Sequence, residues 1–155
     1  MSVPYTVRIA DDLADREACF AVRKEVFVVE QGVAEDLEYD AYDAVAVHVL
    51  AVREDGVPLG TGRLLHGAAA TAKTGADASV GSLGRLAVSR AARGLGVGAV
   101  LVRAIEDAAR ARGLTAVDLH AQTHAKGFYE RLGYEAYGPQ FLDAGMPHRA
   151  MRRAL

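Results

Sequence analysis

The sequence lacks several features, and each absence excludes a class of protein or site. Cys19 is the one cysteine among 155 residues, so the chain can form neither an intrachain disulfide nor a cysteine-rich zinc site. No hydrophobic run approaches the ~20 residues that span a bilayer, and the first residues lack the basic and apolar regions of a signal peptide. We therefore expect a protein of the reducing cytoplasm with no membrane partner.

An excess of positive charge is also missing. Lysine and arginine together number 18, and aspartate and glutamate number 20, which gives a formal net charge of −2. Nearly all of the positive charge is arginine, because the only lysines are Lys24, Lys73 and Lys126. Nucleic-acid binding normally requires a strongly basic surface, so we expect no nucleic-acid partner.

The sequence does contain enough apolar surface for a core. Hydrophobic residues make up 51% of the chain and charged residues 25%, a balance typical of globular proteins. A length of 155 residues suits one domain and leaves no room for a second, so we predict a single domain over residues 1–155.

Hydrophobic periodicity predicts alternating strands and helices. The predicted elements, in chain order, are a strand at 5–9, a helix capped by Asp11 or Asp12 from Leu13 to about Phe27, an acidic loop or short irregular helix at 28–43, a hairpin at 45–52 and 57–65, a loop at 66–79, a strand at 80–88, a helix from Val97 that ends at Gly113, a strand at 114–121, a short helix at 123–132, and a closing strand pair near 134–137 and 148–153. Cys19 falls on the apolar face of the first helix and is predicted to be a core residue. Because the hairpin is antiparallel and the later strand–helix–strand crossover is parallel, we predict an α/β fold of the α+β type with a mixed sheet.

A glycine-rich turn stands between the predicted strand at 80–88 and the helix that follows it. Gly94, Gly96 and Gly98 allow bare backbone N–H groups to approach a ligand at the positive end of that helix. Such a turn is typical of a phosphate or pyrophosphate site. The alternative is that the glycines only make a tight turn, and the turn by itself does not decide between the two.

One kind of protein with a phosphate-binding turn of this type is a dinucleotide-binding fold. Gly94-x-Gly96-x-x-Ala99 matches the G-x-G-x-x-A pattern, and Asp118 lies near the expected position on the next strand. Against this, the turn follows an antiparallel hairpin, and too few residues remain after Asp118 for a second mononucleotide-binding half. A Walker A site is excluded because no Gly-Lys-Ser/Thr occurs.

Two further motifs give the turn a context. Arg93-x-x-Gly96-x-Gly98 follows the strand Gly84-Arg-Leu-Ala-Val88, and Phe128-Tyr-Glu-Arg-Leu-Gly-Tyr134 follows a later strand. Together they resemble the GNAT superfamily of acyl-CoA N-acyltransferases. The segments Arg23-Lys-Glu-Val-Phe-Val-Val-Glu-Gln31 and Gly145-Met-Pro-His148, with His48, are similar to its small bacterial ElaA-like branch. The resemblance covers almost the whole chain and implies a GNAT-like mixed, splayed central β-sheet flanked by about four helices.

The resemblance also implies a coenzyme site, with acetyl-CoA as co-substrate. Backbone groups of Leu86, Ala87 and Val88 would pair with the pantetheine arm, although these residues are also interpretable as plain strand core. The N–H groups of the turn would hold the pyrophosphate, and the turn consists of Arg93, Gly94, Leu95, Gly96, Val97 and Gly98.

Acyl transfer to an amine also requires an acid and a base. Tyr129 occupies the position at which GNAT enzymes commonly carry a tyrosine that protonates the leaving thiolate, and the alternative is an aromatic that only packs the last helix. Glu30, His120 and His148 are candidates for the general base, and each has a structural role as its alternative. The i, i+4 spacing of His120 and His124 falls on a predicted strand and turn instead of a helix, so we expect no metal site.

The acceptor and the class of function stay open. The family implies a primary amine, either a small molecule or a peptide or protein amine, and the acidic residues of 28–43 either attract such a cation or form a solvated loop. A homodimer and a monomer are both open. The sequence favours an acetyl-CoA-dependent N-acetyltransferase, with a non-catalytic acyl-CoA-binding sensor of GNAT fold and a nicotinamide-dinucleotide-binding fragment as alternatives.

Overall fold

A computed structural model describes residues 4–155, and within this range the chain forms one seven-stranded mixed sheet with helices on its faces. The strands are β1 (Tyr5–Ile9), β2 (Val47–Arg53), β3 (Pro58–Leu65), β4 (Val80–Val88), β5 (Ala116–Gln122), β6 (Glu135–Asp143) and β7 (Met146–Ala154). The α-helices are α1 (Leu13–Arg23), α2 (Glu35–Glu38), α3 (Ala68–Thr74), α4 (Val97–Ala111) and α5 (Lys126–Arg131). The chain also forms a π-helical segment (Lys24–Glu30) and 3₁₀ turns (Ala41–Ala44, Arg90–Ala92 and Thr123–Ala125).

The strands lie in the order β1-β2-β3-β4-β5-β7-β6. Neighbouring strands are antiparallel apart from β4 and β5, which are parallel and are connected through α4. The final hairpin is reversed in space, so that β7 instead of β6 pairs with β5. The predicted fold class, a mixed α+β sheet flanked by helices, is confirmed. The predicted closing strands near 134–137 and 148–153 are present but longer.

The first helical stretch begins at a predicted cap, but its α-helical part α1 ends at Arg23 and a π-helix extends it to Glu30. The Asp12 carboxylate accepts a hydrogen bond from the Asp15 backbone N–H at 2.7 Å and thereby caps α1. The predicted end near Phe27 is wrong, because the chain continues as a π-helix to Glu30. A widened helical turn of this kind is uncommon and often lies at a functional site.

The central strands are buried on both faces because helices cover both sides of the sheet. Val49 and Ala51 of β2 belong to the core cluster under α4, whereas Leu50 of the same strand packs with Cys19 of α1. This division follows from the two-residue period of a strand. Cys19 is fully buried, which confirms the prediction that it is a core residue.

The position of α4 depends on two glycines of β3. A Cβ atom at Gly60 would lie 2.8 Å from a side-chain carbon of Leu101, and one at Gly62 would lie 2.8 Å from a side-chain carbon of Ile105. Both α4 side chains are completely buried. Glycine therefore lets the helix lie directly on the sheet, and this close approach fixes the glycine-rich turn at the start of α4 relative to β3 and β4.

The predicted loop at 66–79 is wrong over its central part, where α3 forms. Four of the seven residues of α3 are alanine, the strongest helix former. Gly67 precedes the helix with a φ of 64°, and Gly75 ends it in the left-handed conformation. The glycines that suggested a loop are therefore the boundaries of a helix.

The acidic region at 28–43 is not a solvated loop, because three of its carboxylates enter a buried cluster with three arginines. We call this the arginine–carboxylate cluster; its members are Arg23, Arg63, Arg85, Glu38, Asp40 and Asp43. Arg23 contacts Glu38 and Asp43 at 2.7 Å each. Arg63 contacts Asp40 at 2.7 Å and Asp43 at 2.8 Å. Arg85 lies 3.4 Å from Glu38 and 3.2 Å from Asp40. The three positive and three negative charges balance. Because Arg63 lies on β3 and Arg85 on β4, their ion pairs attach the segment from Glu38 to Asp43 to these two strands.

Removing one arginine of the cluster should destabilise the fold strongly. The Arg23 side chain is 1% exposed and its partner Glu38 4%, so Arg23→Met would remove the closest counter-ion of a buried carboxylate and leave Arg85, at 3.4 Å, as its remaining partner in the cluster. We expect the free energy of unfolding, measured by urea titration, to fall by about 3–5 kcal/mol. The control is Arg53→Met, which removes an exposed pair with Asp55 and should change stability little. Equal stability of the two variants would contradict a structural role for the cluster.

Candidate active site

A cleft opens where β4 and β5 separate. The two strands pair only from Val80 with Ala116 to Leu83 with Leu119. Beyond that point β4 continues along β3, whereas β5 stays paired with β7 over its whole length. The space between them is a cleft of about 700 Å³, lined by residues from the π-helical segment, the arginine–carboxylate cluster, β4, β5, α5 and the β6–β7 hairpin.

The part of β4 that borders the cleft is irregular. Between its pairs with β3, β4 contains one residue more than β3, which makes a β-bulge next to Arg85. Arg85 has a φ of 53°, a conformation that residues other than glycine rarely adopt. Leu86, Ala87 and Val88 follow the bulge and line the cleft. Their backbone edge on the β5 side lies past the last β4–β5 pair, so it is available to a ligand.

The glycine-rich turn continues from this strand edge into α4. Gly94 and Gly96 have φ values of 83° and 79°, and a Cβ atom at either position would have no atom within 4 Å. Gly98 differs, because a Cβ atom there would lie 3.2 Å from the Phe128 ring. The start of α4 has no side-chain cap. The turn therefore presents backbone N–H groups at a helix start, as the sequence predicts, although the backbone conformation alone would also require two of these glycines.

The side chains in the turn divide between core and surface. Val97 is 1% exposed and packs in the core under α4, whereas Leu95 is 40% exposed. Arg93 is the residue of the turn that lines the cleft. Gly94, Leu95 and Gly96 connect it to α4, which begins at Val97.

Arg93 is held by Glu30 across the mouth of the cleft. Its two terminal nitrogens each lie 2.7 Å from one carboxylate oxygen of Glu30, and Arg90 lies 3.8 Å from the same carboxylate. The hydrogen bonds from Arg93 hold the pKa of Glu30 below its usual range, so this carboxylate is ionised at neutral pH. The sequence places Glu30 and Arg93 in different predicted roles, but the structure brings them together as an ion pair.

Tyr129 lies on α5 and lines the cleft. Its ring meets Phe128 at 5.0 Å and Tyr134 at 5.9 Å, both edge to face. The residue is 7% exposed, and within residues 4–155 no hydrogen bond to its hydroxyl is found. Burial raises the pKa of the phenol, so the hydroxyl keeps its proton at neutral pH. Tyr129 thus packs against its neighbouring rings and also lines the cleft, and its role as the acid stays a prediction.

His120 and His148 reach the cleft from neighbouring strands, β5 and β7. Phe141 lies between them, 5.1 Å from the ring of His120 and 5.9 Å from that of His148. His148 Nδ1 donates a hydrogen bond to the Met146 carbonyl oxygen at 2.8 Å, which leaves Nε2 as the atom able to accept a proton. Burial lowers the pKa of His120, so its ring is neutral at neutral pH.

Asp118, the residue that the dinucleotide interpretation requires, is not available to a ribose. It is fully buried, and one of its oxygens accepts hydrogen bonds from Arg152, at 2.9 Å, and from the Tyr137 hydroxyl. A ribose-binding carboxylate has to reach its ligand at the edge of the sheet. The geometry therefore gives no support to the nicotinamide-dinucleotide alternative.

Sequence reasoning missed several polar side chains that line the cleft. Lys73 projects from α3, with its ammonium 4.9 Å from the Tyr42 ring centroid, and burial lowers its pKa. Asp143 and Arg85 also line the cleft. Lys73 is one of only three lysines. Because the residues around it were predicted to form a loop, nothing in the sequence indicated that its side chain lines the cleft. The charged lining indicates a polar ligand at this end of the cleft.

Within residues 4–155 no cluster of three or more histidine, cysteine, aspartate or glutamate side chains is arranged to hold a metal ion. In the same range no helix combines the length and apolarity needed to cross a membrane.

Comparison with known proteins agrees with the geometry. A family model described as an acetyltransferase (GNAT) domain matches residues 9–155. Among relatives, the chain is 36% identical over 146 residues to YjcF of Bacillus subtilis (strain 168), described as an uncharacterized N-acetyltransferase, and the match covers 94% of this chain and 96% of YjcF.

Solved structures give the same result. The chain is similar to an acyl-CoA N-acyltransferase from Pseudomonas aeruginosa, with 35% identity, a TM-score of 0.78, and coverage of 99% of this chain and 100% of the other. It is also similar to Escherichia coli ElaA, with 25% identity, a TM-score of 0.79, and coverage of 98% and 99%. The chain therefore belongs to the GNAT acetyltransferase family.

Proposed function

We propose that the protein transfers the acetyl group of acetyl-CoA to a primary amine, with both substrates bound in one ternary complex. The observation that carries the proposal is the cleft between β4 and β5. It combines a strand edge beside a glycine-rich helix start with a set of titratable side chains. Acyl transfer from a thioester to an amine uses both features, one to bind the coenzyme and the other to move protons.

The coenzyme-binding part of the proposal depends on backbone groups of the protein. The pantetheine arm of coenzyme A contains amide groups, which can add to a free strand edge as a peptide strand does. Leu86, Ala87 and Val88 supply that edge in the proposed complex. The pyrophosphate then lies at the residues from Arg93 to Gly98, where uncapped N–H groups and the positive end of α4 favour an anion.

The catalytic part of the proposal places the Tyr129 hydroxyl beside the leaving sulfur of the thioester. As the amine nitrogen bonds to the thioester carbonyl carbon, the C–S bond breaks and negative charge develops on sulfur. A buried hydroxyl without a competing partner can donate to that sulfur. Since burial disfavours a thiolate as well as a phenolate, the raised pKa of Tyr129 does not remove its ability to share a proton in this site.

The acceptor part of the proposal uses the side chains that β5 and the β6–β7 hairpin contribute to the cleft, namely His120, His148 and Asp143. Neutral imidazole is suited to removing a proton from an ammonium group at neutral pH. Glu30 is also a proposed site residue, and it lies at the mouth of the cleft, where its carboxylate lowers the positive potential that Arg93 creates. A small amine or a peptide amine can approach from here.

A ligand panel separates this function from the alternatives. We expect acetyl-CoA and coenzyme A to raise the melting temperature of the protein and NAD⁺ to leave it unchanged. Thiol release should then appear with at least one amine from a panel containing a polyamine, an amino sugar, an aralkylamine and a lysine peptide. Stabilisation by coenzyme A without thiol release would favour the sensor, and stabilisation by NAD⁺ alone would contradict the proposal.

Neutralising Glu30 should strengthen coenzyme binding. Glu30→Gln removes the carboxylate that now pairs with Arg93, so the guanidinium becomes free for the phosphates. We expect calorimetry to show acetyl-CoA binding a few-fold tighter than in wild type, because an exposed ion pair contributes modestly. Glu35→Gln is the matched control, since Glu35 lies 3.8 Å from Lys24 outside the cleft. Weaker binding in Glu30→Gln would show instead that Glu30 holds Arg93 in position for the coenzyme.

The hydroxyl of Tyr129 should matter for rate and not for affinity. Tyr129→Phe keeps the ring and its contacts with Phe128 and Tyr134. We expect the single-turnover rate of acetyl transfer to fall by about 10²- to 10⁴-fold at nearly constant acetyl-CoA affinity. A Phe variant that reacts at the wild-type rate would remove Tyr129 from the mechanism.

A further inference from the structure

The Asp118 carboxylate is anchored through only one of its two oxygens. Oδ2 accepts hydrogen bonds from Arg152 Nε, at 2.9 Å, and from the Tyr137 hydroxyl. Oδ1 is buried, and among residues 4–155 it has no hydrogen-bond partner. A buried carboxylate oxygen without a donor is energetically costly, so native proteins rarely keep one without a reason.

The group that faces this oxygen is the ring of His120. Asp118 and His120 are two residues apart on β5, so their side chains leave the same face of the strand. His120 Nε2 lies 3.9 Å from Asp118 Oδ1, and His120 also lines the cleft. The Asp118 side chain is 1% exposed and that of His120 is 35% exposed. The imidazole therefore stands between a buried carboxylate and the open cleft.

We propose that His120 is the general base for the acceptor amine and that Asp118 is its positioning residue, an inference that rests on the proposed N-acyltransferase function. Asp118 holds the ring with Nε2–H directed at Oδ1, and Nδ1 is then the atom that accepts a proton. The separation of 3.9 Å is longer than a hydrogen bond. It shortens when the ring becomes charged, as catalytic contacts often do in the reacting complex.

The step balances as follows. The acceptor ammonium gives a proton to His120, which returns it to solvent. The neutral amine forms a C–N bond with the thioester carbonyl carbon, the C–S bond breaks, and its electron pair leaves on the coenzyme sulfur. The proton lost from the attacking nitrogen ends on that sulfur. The products are an amide, the free thiol of coenzyme A and one proton.

The other two candidates for the base are less well equipped. The Glu30 carboxylate is occupied by Arg93, which makes it a weak proton acceptor. His148 is 7% exposed and fixed through its hydrogen bond to Met146. In the part of the chain that the structure describes, His120 is the only histidine with a ring nitrogen within 4.0 Å of a carboxylate oxygen.

Several charged groups set the protonation of His120. Burial has the largest effect and lowers its pKa; Asp118 on the same strand and Asp143 on β6 act in the opposite direction, and Lys73 on α3 and His148 on β7 lower it further. The net lowering keeps the ring neutral and ready to accept a proton at neutral pH. Since the negative charge of Asp118 favours the imidazolium, neutralising Asp118 must lower the pKa of His120 again.

The pairing is tested without any acyl transfer by NMR titration of the histidine ring signals. The chain has five histidines, and the signal missing in His120→Gln assigns His120. We expect its titration midpoint in Asp118→Asn to lie at lower pH than in wild type. Tyr137→Phe is the matched control, because it removes one hydrogen bond to Asp118 and keeps the charge; its midpoint should stay near wild type. An unchanged midpoint in Asp118→Asn, or an equal shift in both variants, would overturn the pairing.

A second measurement on the wild-type protein keeps the test valid if Asp118→Asn does not fold. Long-range ¹⁵N–¹H correlation spectra identify which ring nitrogen carries the proton in neutral His120. We expect the Nε2–H form, and an Nδ1–H form would overturn the proposed orientation.

The catalytic assignment is tested with an amine that the wild-type protein acetylates. His120→Gln should lower kcat by about 10²-fold or more at unchanged acetyl-CoA affinity. Asp118→Asn should move the acid limb of the kcat/KM profile to lower pH, which a purely structural role would not do. A wild-type kcat in His120→Gln would overturn the proposal while leaving the N-acyltransferase function intact.

Discussion

The candidate site depends on the point at which β4 and β5 stop pairing. β5 pairs with β7 along all of its residues, Ala116–Gln122, but with β4 only as far as Leu119. β4 stays with β3 to Val88. Each strand is thus held by its outer neighbour, and the gap between them cannot close without breaking one of those ladders. A parallel pair that ends early leaves backbone donors and acceptors facing a cleft, which is uncommon inside a sheet.

Two further features keep the cleft open and give it polarity. The glycines of β3 let α4 lie close to the sheet, which brings the start of α4 beside the free edge of β4. At the other end, the arginine–carboxylate cluster ties the irregular segment after α1 to β3 and to Arg85 at the bulge. One end of the cleft is therefore a backbone surface suited to an extended coenzyme. The other end is lined by charged and titratable side chains suited to a polar acceptor.

The sequence predicted the order of the elements because most of them are bounded by local signals. Asp12 caps α1, and the extended run that contains β2, with the turn after it, predicts the first strand of an antiparallel hairpin. The helix α3 was not predicted, because its bounding glycines and threonines outweighed its alanines in a local interpretation. The extension to Glu30 was missed because a widened helical turn has no distinct residue pattern.

The site residues that belong to local sequence motifs were predictable, whereas their partners from distant parts of the chain were not. Motifs indicated the edge of β4, the turn and Tyr129, all of which are local in sequence. The partners of these residues are distant: Glu30 pairs with Arg93 across 63 positions, and Asp40 pairs with Arg63 across 23. The same spacing problem hid the acidic region's role, since a run of carboxylates resembles a solvated loop until its arginines are located. Asp118 was noticed for its sequence offset, and its contact with His120 depends on strand geometry.

The central claim is that the free edge of β4 and the turn before α4 bind acetyl-CoA. Hydrogen–deuterium exchange with and without acetyl-CoA tests it most directly, because it reports on the backbone amides themselves. The account predicts that acetyl-CoA slows exchange at residues 86–88 and 93–98 and leaves the small cavity near Ile9, His66 and Arg112 unaffected. Slowed exchange at that cavity, with no change at residues 86–88 and 93–98, would contradict the account.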